Sequence, residues 1–121
     1  RPQPRMTMHV YAVRIFVDDL EAARTFYTST LGLPISWEMT LAGSFGLSAG
    51  IELIVELEKG EDAGLVGRFL GLSLQVDDLG AEYQRLQAAG VEFLAPPQKQ
   101  PWGGTLAHFR DPAGNVLTLL G

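Results

Sequence analysis

The chain has 121 residues and a mass of 13.1 kDa, with 46% hydrophobic and 19% charged residues, which bounds it to about one globular domain with enough apolar residues for a core. Fourteen acidic against nine basic residues leave a net charge of -5, which repels phosphate backbones, so nucleic acid is not an expected partner. There is no cysteine, hence no disulfide, thiolate nucleophile or thiolate metal ligand, and no run of membrane-spanning length.

Residues 1–8 carry two prolines and no apolar stretch of the secretory type, so they read as an extended or disordered tail ahead of one domain at 9–121, expected in the cytoplasm. A first strand is predicted over 9–17, rich in Val, Ile, Tyr and Phe. Asp18 and Asp19 end it and can cap a helix, and Glu21, three residues after Asp18, completes a capping-box pattern. The helix is expected to run to Leu31, with Leu20, Ala23, Tyr27 and Leu31 on one face and Gly32 as its C-terminal cap. Three short strands follow at 35–41, 44–48 and 51–57, divided by glycine-bearing breaks.

The polar, glycine-rich segment 58–67 reads as a linker, after which the order returns: strand 68–76, helix 79–89, then Gly90 and a short strand at 91–94. Pro96, Pro97 and Pro101 make the next connection stiff, since proline cannot join a central ladder. Strands at 105–110 and 116–120 flank a tight turn, Asp111-Pro112-Ala113-Gly114-Asn115. The phrase Val17-Asp18-Asp19-Leu20 recurs half a chain later as Val76-Asp77-Asp78-Leu79, each time between a strand and a helix. A period this long, present twice, predicts a duplicated module (9–57 and 68–121) rather than a solenoid, with the two halves packed together.

These pieces, with Phe26-Tyr27, Leu31-Gly32-Leu33, Gly50-Ile51-Glu52-Leu53, Ala89-Gly90-Val91 and Pro101-Trp102-Gly103, resemble the vicinal oxygen chelate superfamily, the group of glyoxalase I, bleomycin-resistance proteins and extradiol dioxygenases. The resemblance spans nearly the whole chain and implies an α+β fold of two βαβββ modules forming an open barrel-like cavity. It also implies a homodimer, because small members commonly pair and a chain this short leaves sheet edges and apolar surface to cover.

The same resemblance places the family's four metal-ligand positions at Ala12, Glu52, Gly71 and Thr118, of which only Glu52 binds a metal firmly. A full ligand set is worth roughly 10–16 kcal/mol, so one carboxylate retaining about a quarter of that would bind only at about millimolar. No cofactor is therefore expected, and no residue is assigned to a metal. His108 could face the cavity and make at most a two-ligand site with Glu52, whereas His9 is expected to point away. Where glyoxalase I carries an arginine for the glutathione carboxylate, this chain has Phe16.

If Ala12 and Glu52 face the cavity, alternation along the strands adds Arg14, Phe16, Ile54, Glu56, Phe69, Ser73, Gln75 and Thr118, and Trp37, Met39 and Trp102 are candidates to close its mouth. Such an apolar, aromatic-flanked pocket suits a small organic molecule. The leading expectation is a metal-free binding protein that sequesters a hydrophobic or aromatic compound, with Arg14 pairing an anionic or carbonyl group and Trp102 and Phe16 stacking. The alternative is a lyase, isomerase or dioxygenase of the same superfamily in which Glu52 is the catalytic base or a metal ligand; whether the chain is an enzyme stays open.

Overall fold

In the computed structural model, which describes residues 7–60 and 63–121, the first strand, β1, covers Ala12–Val17. Positions 1–6 of the expected tail and 61–62 of the expected linker lie outside the described residues. The stretch from His9 to Tyr11 does not join the strand, so β1 is shorter than its composition suggested.

Asp19, not Asp18, is the residue that caps the following helix α1 (Leu20–Arg24): its carboxylate accepts from the Ala22 amide at 3.0 Å. The cap therefore lies one residue later than a capping box with Glu21 requires. From Thr25 to Thr30 the helix continues in π register, with the Leu31 amide donating to the Phe26 carbonyl at 2.8 Å. Thr28 Oγ1 donates to the Arg24 carbonyl at 2.6 Å, the type of side-chain bond that competes with the helical ladder.

Strands β2 (Ile35–Met39), β3 (Ser44–Ala49) and β4 (Ile51–Leu57) complete a first sheet ordered β1-β4-β3-β2, with β1 and β4 parallel. The second half repeats it: β5 (Phe69–Gln75), α2 (Leu79–Ala88) capped by Asp78, β6 (Gln98–Lys99), β7 (Thr105–Arg110) and β8 (Val116–Leu120). Its sheet order, β5-β8-β7-β6, and its parallel β5–β8 pair match the first. The repeated phrase thus marks two βαβββ modules. The strand expected at 91–94 is reduced to a single bridge, Phe93 to Phe109, and the named edge strand β6 lies instead within the proline-rich connection, between Pro97 and Pro101. An edge needs hydrogen bonds on one side only, which tolerates flanking prolines.

Both modules share one core. Ile15, Val17, Leu53, Val55, Phe45 and Leu47 from the first sheet meet Ala107, Phe109, Leu117 and Leu119 from the second, with Ala23, Phe26, Tyr27, Leu79 and Leu86 from the helices between. The first helix reaches the second module directly: the Phe26 and Phe109 ring centroids are 6.3 Å apart, and the buried Tyr27 hydroxyl donates to Asp111 Oδ2 at 2.7 Å. Among the described residues no helix is long and apolar enough to cross a membrane.

Candidate functional site

With Ile15, Val17, Leu53 and Val55 committed to the core, alternation turns Ala12, Arg14 and Phe16 of β1, and Glu52, Ile54 and Glu56 of β4, to the opposite face of the first sheet. There Arg14 forms a bidentate pair with Glu56, its terminal amine donating to Oε1 at 2.9 Å, and its guanidinium lies 5.2 Å from the Phe16 ring centroid. Glu56 pushes the Arg14 guanidinium above its ordinary value, first by hydrogen bonding and then by charge. Arg14 is thus occupied by Glu56, not reaching Glu52.

Glu52 takes a different partner. Its Oε1 accepts from Ser36 Oγ. The pairing of β2 with β3 explains how Ser36 arrives there: Ile35 sits opposite Leu47 and Trp37 opposite Gly46, so Ser36 is an extra residue in the ladder. Such a bulge changes the face on which the following residue lies. Ile35 packs on the core while Trp37, two residues on, settles on the open face over Gly46, where a Cβ would overlap both Trp37 Nε1 and Glu52 Oε1.

On the second sheet, Phe69 lies opposite Val116, Ser73 opposite Thr118 and His108 opposite Thr118. His108 Nδ1 is hydrogen-bonded to Thr118 Oγ1 at 2.7 Å, and Phe69 meets the imidazole edge-on with centroids 5.7 Å apart. Phe69 is 65% exposed. Gly71 has φ +66 at an irregularity in β5, a backbone region that favours glycine over any ligand-bearing residue. Trp102, 64% exposed, covers Gly104 rather than stacking with Phe16.

The proposed residues therefore fall into two sets, Arg14, Phe16, Trp37 and Glu52 on one sheet and Phe69, Ser73, His108 and Thr118 on the other, with Trp102 in a loop. The ring contacts on these faces and the Arg14–Glu56 ion pair each stay within one sheet among the described residues. A cleft of about 430 Å³ opens elsewhere, lined by Leu31, Leu33, Leu74, Val76, Arg85 and Leu86, with Ser73 and Gln75 also on its wall. Ser36 and Gly46 were not singled out from the sequence as site residues, and Glu56 was placed on the cavity wall without its role as the partner of Arg14. A glycine inside a strand, as at Gly46, was the available signal that something packs closely on the backbone.

The donor set does not fit a divalent metal. Ala12 and Gly71 carry no donor, the Thr118 hydroxyl is tied to His108, and Glu52 is bonded to Ser36. No three His, Cys, Asp or Glu side chains come together among the described residues, whereas firm sites take three or four protein ligands.

Comparison with known proteins agrees with this architecture. A family model described as the glyoxalase/bleomycin resistance protein/dioxygenase superfamily matches residues 8–119. The uncharacterized protein YraH of Bacillus subtilis (strain 168) is 33% identical over 125 residues, covering 93% of this chain and 97% of its own. A crystal structure of a superfamily member from Sphaerobacter thermophilus DSM 20745 is similar with TM-score 0.80 and 30% identity, over 96% of this chain and 98% of that one. TnmS3, an antibiotic binding protein from Streptomyces sp. CB03234, is similar with TM-score 0.75 and 32% identity, over 95% and 97% of the two chains. Duplicated topology, family match and full-length relatives converge: the chain belongs to the glyoxalase/bleomycin resistance protein/dioxygenase superfamily.

Proposed function

We propose that this protein binds a small hydrophobic or aromatic compound and sequesters it unaltered, without a metal ion. The observation that carries the reading is the character of the two open faces: Phe16, Trp37 and Phe69 offer aromatic surface beside a few polar groups, and the metal positions hold Ala12, Gly71 and a hydroxyl already in use. Surfaces of that make-up suit organic ligands once they are enclosed. The antibiotic binding described for TnmS3 supports the same reading. Enclosure is expected from a second copy, the faces of two chains closing on each other in a homodimer.

The test is native mass spectrometry of the purified protein, with elemental analysis after dialysis. A co-purified organic compound whose mass is unchanged after prolonged incubation, and no stoichiometric Ni, Zn, Fe or Mn, are expected. One equivalent of metal lost in Glu52→Ala would overturn the metal-free reading. Conversion of the compound to a product, lost in Glu52→Gln, would replace sequestration by an enzyme with Glu52 as its base.

A further inference from the structure

The first sheet carries a built recognition point beside Trp37. The bulge at Ser36 brings both Ser36 and Trp37 to the open face, and the missing Cβ of Gly46 lets the indole and the Glu52 carboxylate lie side by side on the glycine backbone. Ser36 holds Glu52 by Oε1, which orients the carboxylate; Oε2 accepts no hydrogen bond among the described residues. Across the ladder from Glu52 stands Ala12, whose methyl group leaves space.

Charge on this face is also unbalanced. Glu56 is neutralised by the bidentate Arg14 pair, and the other ion-paired arginines among the described residues, Arg24, Arg85 and Arg110, engage Glu38, Glu82 and Glu92. None of these cations reaches Glu52. A negative carboxylate with one uncommitted oxygen, next to an indole, matches a protonated amine: the ammonium donates a charge-assisted hydrogen bond to Oε2 and is attracted to the aromatic ring, while a flat apolar body attached to it covers the indole.

Resting on the binding role proposed above, we infer that the ligand is a cationic aromatic compound, with its amine seated on Glu52 between Ser36 and Trp37. An anion of the same shape meets repulsion there, and a neutral analogue forgoes the charge.

Three isosteric probes test this on the full chain by isothermal titration at pH 7 and low salt: 2-naphthylmethylammonium, 2-naphthylmethanol and 2-naphthoate. The ammonium should bind about tenfold or more tighter than the alcohol, with naphthoate weakest, and the preference should shrink as salt is raised. In Glu52→Gln the ratio of ammonium to alcohol affinity should fall to about one, alcohol binding by the variant showing that its face is intact. Binding of the alcohol with no ammonium preference in the wild type would overturn the cationic assignment and leave the binding role standing. A preference that survives in Glu52→Gln would remove Glu52 from it. Failure of all three probes to bind at millimolar concentration, with no compound co-purifying, would overturn both.

Discussion

Asn115 is fully buried, and its amide is shared between the two modules: Oδ1 accepts from the Gly67 and Arg68 amides at 2.9 and 3.0 Å, while Nδ2 donates to the Phe16 carbonyl at 2.8 Å and to Asp111 Oδ2 at 3.0 Å. Truncation in Asn115→Ala leaves two amides and a carbonyl without partners, which should cost about 3 kcal/mol. A lower urea midpoint at unchanged slope would report that loss. Asp111 also accepts from Tyr27, whose hydroxyl is pushed far above its ordinary value, by burial first and by the Asp111 carboxylate second. The sign follows from the raised value: above pH about 10 the unfolded chain releases this proton while the folded chain retains it, so stability present at neutral pH is lost as the solution becomes more alkaline. Urea midpoints at pH 8 and pH 10.5 should therefore fall less in Tyr27→Phe than in the wild type. Both residues were legible as turn or helix residues, but the bond joining them spans 84 positions and belongs to the packing.

At the scale of the element, the β2 bulge decides what the first face presents. Strict alternation puts Ile35, Trp37 and Met39 together, whereas Ile35 pairs with Leu47 on the core side and Trp37 and Met39 pair with Gly46 and Ser44. Gly46 is the complement of this bulge, since Trp37 and Glu52 occupy the volume a side chain would need. Gly46→Ala should destabilise the fold by about 1–3 kcal/mol through overpacking and displace the indole. A lowered melting temperature together with a changed near-ultraviolet circular dichroism spectrum is the expected result; an unchanged spectrum would show that Trp37 lies elsewhere. The π register of Thr25–Thr30 was hidden in the same way, because the spacing of Ala23 and Tyr27 is that of an ordinary helix and only the backbone bond from the Leu31 amide to the Phe26 carbonyl reveals the departure.

For the whole molecule, the two sheets repeat one topology and share one core, yet each leaves its second face open, with Phe69 and Trp102 well exposed. Exposed apolar surface beside unpaired sheet edges favours association. Sedimentation at micromolar concentration should give the mass of two copies, and a monomer would sink the homodimer reading.

The strand–helix–strand order of each module and an aspartate pair at each helix start follow from the sequence alone, because a period of two or of 3.6 and a carboxylate before a helix act over a few residues. The place of the second module's edge strand, and which aspartate of the first pair caps its helix, were settled by the fold. The repeated Val-Asp-Asp-Leu phrase adds the duplication without any tertiary information. Which partner each polar residue takes was decided only in the folded molecule. Arg14 reaches Glu56, Ser36 reaches Glu52, and His108 reaches Thr118, because register, a single inserted residue and the absence of a Cβ set those distances. Such features depend on neighbours far apart in the chain, and no local pattern records them.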